Sequence, residues 1–173
     1  SSACTTINKM CGSGMKAIMM AHDSLLAGST QVAVAGGMES MSNAPYLLPK
    51  ARSGMRMGHG QVMDHMFLDG LEDAYDKGRL MGSFAEECAD QYRFTRQAQD
   101  EFAIRSLERA KQATEDGSFQ WEIAPIEVAS RKGTEVVSTD EQPLKADPAK
   151  IPTLKPAFRR DGGTVTAANS SSI

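Results

Sequence analysis

Met15, Ile18, Met19, His22, Leu25 and Leu26 share one face at spacings of three and four, the period of an amphipathic helix. Gly28 follows in the position that ends such a helix. The stripe predicts packing into a core, with His22 half-buried at its edge. Upstream, the β-branched run Thr5-Thr6-Ile7 predicts a strand; downstream, residues 31–37 form a continuous apolar run bounded by glycine. That second pattern suits a strand inside a parallel sheet covered on both faces. Strand, helix and strand together predict one right-handed βαβ crossover.

From residue 42 the period is lost. Residues 43–64 carry Pro45, Pro49, Gly54, Gly58 and Gly60 among scattered basic residues, which predicts a long loop. Ser83 and Glu86 have capping-box spacing and predict a helix through Tyr92. Thr95 is placed to cap a longer helix to about residue 115, closed by Gly117. Residues 122–128 and 133–137 read as an antiparallel pair around Ser130-Arg131-Lys132-Gly133, with Pro125 making the first an edge strand. Four prolines between residues 143 and 156 are expected to break any regular element, and Gly162-Gly163 leads into a final strand over 164–169.

Composition narrows the function classes. With 40% hydrophobic and 24% charged residues the 173-residue chain is of ordinary globular type. A net charge of −3 argues against nucleic acid as a partner. No stretch approaches the roughly 18 apolar residues of a membrane span, and no leader pattern opens the chain, so no membrane partner is expected. Cys4, Cys11 and Cys88 have neither metal-type spacing nor an even count, which predicts free thiols in a reducing, cytoplasmic compartment. Cys4 and Cys88 are expected to be packed. His59 and His65, six apart with Asp64 beside one, read as surface residues rather than a metal site.

Cys11 differs from the other two in its setting. It lies between a strand pattern and a helix pattern, with Gly12 and Gly14 beside it, so it is expected at a helix N-terminus. Unpaired amide N–H groups and the positive end of the helix dipole converge there, favouring a thiolate nucleophile and offering donors to an oxyanion. The local pattern alone fits a nucleophile and a small packed thiol equally well.

The run Asn8-Lys9-Met10-Cys11-Gly12-Ser13-Gly14-Met15-Lys16-Ala17, followed by Ala35-Gly36-Gly37-Met38-Glu39-Ser40-Met41-Ser42, resembles the nucleophile segment and next strand of the thiolases. The likeness continues through Asp69-Gly70-Leu71, Met81-Gly82, Arg131-Lys132-Gly133, Leu154-Lys155-Pro156-Ala157-Phe158 and residues 163–169, in order along the whole chain. Within the family it is most similar to the acetyl-CoA acetyltransferases. The resemblance implies an α/β, layered αβαβα fold, of which this chain would be an internal section. Residues 1–42 would belong to the N-terminal domain, 43–160 to an inserted loop domain, and 161–173 to a strand returning to the first.

What the resemblance implies for chemistry is acyl transfer with Cys11 as the acylated nucleophile. Two acetyl-CoA would condense to acetoacetyl-CoA, or the reverse thiolysis would run, with coenzyme A thioesters as substrates and no separate cofactor. Leu71, Leu80 and Met81 would line the acyl and pantetheine end, and bulky Met81 would favour short acyl groups. Lys145 would meet the nucleotide phosphate, flanked by the recurring Lys150 and Lys155. Ala167, Ser171 and Ile173 would lie along the pantetheine arm. Residues 46–66 would help to build a homo-oligomer, dimer or tetramer. The family's Gly-His-Pro, Cys-x-Gly-Gly-Gly and Asn-Glu-Ala motifs do not occur in these 173 residues, so the polypeptide by itself is expected to be inactive. A ketoacyl-synthase-type condensing enzyme and a non-catalytic acyl- or lipid-binding module are the alternatives.

Overall fold

The computed structural model describes residues 2–173 and divides into two compact units, one running up to Met81 and the other Gly82–Ile173. In the first unit a 3-10 turn, Met10–Gly12, leads directly into helix α1, Ser13–Leu26. The helix ends as the sequence predicts. Gly28 donates to the Leu25 carbonyl at 3.1 Å and has φ +69°, a left-handed conformation that glycine adopts without a Cβ penalty.

The two strands predicted beside α1 do not form: neither residues 5–7 nor 31–37 join a ladder. A strand is defined by its partner, and among the described residues no segment pairs with either of these. The return path is nevertheless kept, since a Cβ at Gly37 would lie 4.0 Å from the Gly14 backbone. The apolar stripe of α1 also differs from expectation: Met15, Ile18, Met19 and Leu26 are exposed, as are Val32 and Val34. His22 is exposed too, 3.4 Å from its neighbour Asp23.

The excursion after residue 42 is closed at its base. Strand β1, Tyr46–Leu47, pairs antiparallel with β2, Met63–Asp64, and the residues between make no other strand. A π-helical turn, Phe67–Leu71, follows, and an isolated antiparallel bridge joins Glu72 to Leu80.

The second unit is built on two helices. Helix α2, Met81–Tyr92, begins two residues before the expected capping box, so Ser83 and Glu86 lie inside it. The Glu86 carboxylate reaches the far end of the chain instead of its own helix start. Helix α3, Arg96–Glu115, follows the prediction: the Thr95 hydroxyl accepts from the Ala98 amide at 3.1 Å, and Gly117 closes it at φ +78°. Strands β3, Ile126–Ser130, and β4, Gly133–Val137, pair antiparallel with Ser130 opposite Gly133. Pairing starts only after Pro125, which has no N–H to donate.

The proline-rich stretch is more ordered than expected. Helix α4, Glu141–Lys145, contains Pro143, and a 3-10 turn spans Pro148–Thr153. Asp140 and Asp147 accept from the Gln142 and Ala149 amides and start these turns. Pro143 falls within the first turn, where an N–H would lack a helical partner anyway. The predicted last strand does not form: residues 164–166 are irregular and 167–169 bend, with the amides of 164–166 bonded to side chains and the Val165 carbonyl accepting from the Ala157 amide at 2.9 Å. The buried residues cluster in this unit: Ala89, Pro143, Ile151 and Val165 are apolar, and Glu86, Asp100 and Thr166 are polar.

Candidate active site

The site is built upward from a strained residue. Met10, immediately before the cysteine, has φ +51°, a conformation that L-residues other than glycine, asparagine and aspartate seldom adopt. Side chains hold it there. The Met10 amide donates to Asn8 Oδ1 at 2.8 Å, and the Ser13 hydroxyl donates to the Met10 carbonyl at 2.8 Å while accepting from the Lys9 amide at 2.9 Å. The Gly12 amide is committed to the Lys9 carbonyl at 3.0 Å. Cys11 therefore stands exposed on a 3-10 turn leading into α1, two residues before the helix proper. The π-helical turn carrying Leu71 lies against it. Leu80 is half-buried beside its bridge to Glu72, and Met81 begins α2 as an exposed residue.

Cys4 and Cys88, expected to be packed, are exposed as well. Cys4 has no strand to bury it, and Cys88 falls on the outer side of α2, next to the face that buries Glu86 and Ala89. His65 Nε2 lies 2.9 Å from Asp69 Oδ2, one turn further along the chain. Among the described residues no group of three histidine, cysteine or acidic side chains could hold a metal ion.

In the second unit a groove of about 1050 Å³ is lined by α3, by the 3-10 turn, and by the chain's tail. Phe102, Ile151 and Leu154 give it an apolar floor and wall, and Ala167 and Ser171 line the opposite side. Thus two of the four candidate residues in this unit come together. Lys145 points elsewhere, ion-paired with Glu141 at 2.6 Å on α4, and Ile173 is 72% exposed beyond the groove.

The residues that hold this tail were missed from sequence. Glu86, 1% exposed, accepts from the Thr164 amide at 2.9 Å, the Val165 amide at 2.8 Å and the Thr164 hydroxyl at 2.9 Å. Burial acts to raise its carboxyl, but the Val165 and Thr164 donors and the nearby Arg159 guanidinium outweigh it and hold the group below its ordinary value. Arg159 also grips Asp90 at 2.8 and 3.1 Å and keeps that carboxyl low. Asp100, 4% exposed, accepts from Arg96 at 2.7 Å and from Asn169 at 3.1 Å. The available signal was position: Glu86 shares a face with Ala89, and Asp100 with Ala103 and Leu107, so both carboxylates fall on apolar sides of their helices.

The family model for the thiolase N-terminal domain matches residues 1–173. Acetyl-CoA acetyltransferase 2 of Arabidopsis thaliana is 51% identical over 98% of this chain and 42% of its own length. The acetyl-CoA acetyltransferase of Pseudomonas aeruginosa is 48% identical over 97% of this chain and 43% of its own. The solved structure of acetyl-CoA acetyltransferase from Syntrophomonas wolfei superposes with a TM-score of 0.85 at 44% identity, covering 94% of this chain and 41% of that one. The chain belongs to the thiolase family, with the family's α/β fold. It spans about two fifths of the length of these relatives.

Proposed function

We propose that the protein is an acetyl-CoA acetyltransferase that joins two acetyl-CoA into acetoacetyl-CoA, or cleaves the product with coenzyme A, through an acetyl group carried on Cys11. The observation that carries this is the exposed Cys11 on a turn held by Asn8 and Ser13 at the start of α1. Relatives bearing that activity's name, at about half identity along the chain, support it.

In the first step the Cys11 sulfur attacks the thioester carbonyl, and the oxyanion that develops is stabilised by donors near the helix start. Coenzyme A leaves as its thiol. In the second step the α-carbon of another acetyl-CoA, having lost a proton, attacks the acetyl-cysteine carbonyl and frees the sulfur. These residues supply the nucleophile; no residue of this chain is assigned to the proton transfers. On this reading Leu71, beside the Cys11 turn, together with Leu80 and Met81 would serve the acyl end, and, within the second unit, Ala167 and Ser171 would serve the pantetheine arm. The reading extends to a homo-oligomer assembled through residues 46–66 and to a cytoplasmic setting, the latter supported by three exposed thiols.

Acid-quenched peptide mass spectrometry after brief exposure to acetyl-CoA tests the proposal. An acetyl group on the Cys11 peptide, absent in Cys11→Ala, is expected. An unmodified Cys11 in a folded sample that binds acyl-CoA would favour a non-catalytic module of the same fold.

A further inference from the structure

Both walls of the groove in the second unit are tied to one buried side chain. Asp100 Oδ2 accepts from Arg96 Nε at 2.7 Å, and its Oδ1 accepts from Asn169 Nδ2 at 3.1 Å. Arg96 runs on to one wall, donating to the carbonyls of Ile151, Pro152 and Leu154 at 3.2, 3.3 and 2.9 Å. Asn169 runs on to the other, donating to the Thr164 carbonyl at 2.9 Å and accepting from the Thr166 amide at 2.7 Å. Neither wall has a strand ladder to fix its path. One backbone bond, from the Ala157 amide to the Val165 carbonyl at 2.9 Å, joins the two segments, and side-chain hydrogen bonds in a buried setting, two of them on Asp100, hold the rest of the groove.

We propose that the Arg96–Asp100–Asn169 chain is a positioning device that sets the spacing of the two walls, and with it the seat of the pantetheine arm between Leu154 and Ser171. The proposal rests on the coenzyme A thioester reading above. None of the three acts on the reacting atoms. Thr166, 0% exposed, marks how tightly the tail is held at this point, and the Ser170 hydroxyl reinforces it by donating to the Thr166 carbonyl at 2.6 Å.

The geometry offers a test by exchange. Asn169→Asp sets a carboxylate against Asp100 and removes the donor between them. Adding Asp100→Asn restores a donor between the two side chains, while its carbonyl still accepts from Arg96 and the new carboxylate still accepts from the Thr166 amide. The bond from Asn169 to the Thr164 carbonyl is lost in both variants, so the exchange recovers the link to Asp100 but not the whole network. Coenzyme A binding to the intact protein, read by titration calorimetry, is expected to weaken about tenfold in Asn169→Asp and to return to within about threefold of the parent in the exchanged pair. Protection of the Val165 amide, held by Glu86 rather than Asn169, reports on folding in every variant. Arg96→Lys, which keeps a cation beside Asp100 but cannot span three carbonyls, is the milder probe and is expected to weaken binding about threefold.

Unchanged binding in folded Asn169→Asp, or an exchanged pair no better than the single variant, would overturn the proposal. So would a parent protein that does not bind coenzyme A. A parent that binds coenzyme A yet never acetylates Cys11, with the exchange still rescuing binding, would sink the catalytic reading and leave this one standing.

Discussion

At Met10 the backbone accepts a conformation costing on the order of 1–2 kcal/mol, and the cysteine beside it gains exposure. Asn8 and Ser13 offset that cost through three hydrogen bonds. Ser13→Ala should therefore destabilise the turn by about 1 kcal/mol, and the loss should shrink when Met10→Gly makes the left-handed region freely available. Rates of Cys11 alkylation in the four combinations, with Cys88 as internal reference, check both statements. Glu86 gives a second prediction at this scale. Its carboxyl is held below the ordinary 4.5 in the folded chain, so it stabilises the fold above the unfolded value and loses that contribution as pH falls through the lowered one. Melting temperature should drop on acidification below about 4.5 in the parent and more gently in Glu86→Gln, which starts lower because its amide faces donors. The position of Cys11 at the start of a helix was legible from the strand, glycine and helix pattern around it, while its role as nucleophile came only from the resemblance of residues 8–17. Glu86 was not legible, because the sequence spaces it as a helix cap and only the folded chain brings residues 164 and 165 to it.

Elements that depend on their own residues were readable, and those that depend on distant ones were not. Helix α3 has its cap, its period and its closing glycine all within the segment, and its start and end fell where the sequence put them. Thr95→Ala should cost about 1 kcal/mol, seen as a shift in the urea midpoint at constant slope. The strands expected at residues 5–7, 31–37 and 164–169 had the right local chemistry, yet pairing is a property of two segments. For the last of them the Glu86 and Asn169 side chains occupy the amides that a neighbouring strand would have used. Pro143 misled in the opposite direction: a residue that breaks a helix interior is harmless in the first turn, and Asp140 supplied that turn's start.

Over the whole chain, burial is unevenly shared between the two units. The buried apolar residues among the described ones, Ala89, Pro143, Ile151 and Val165, all belong to the second, and so do the buried carboxylates. Native-state hydrogen exchange should accordingly show the slowest amides in α2, in α3 and at Val165, with α1 exchanging faster despite its length; equal protection of α1 would contradict this. Much of the apolar stripe of α1 and of the run at 31–37 stays exposed in the folded chain. Unfolding thus newly hydrates little hydrocarbon, and the heat-capacity increment should fall well below the roughly 12–15 cal/mol/K per residue of closely packed domains. Calorimetry of this polypeptide would then trace a shallow curve of free energy against temperature, with a broad melting transition and stability that changes little on cooling.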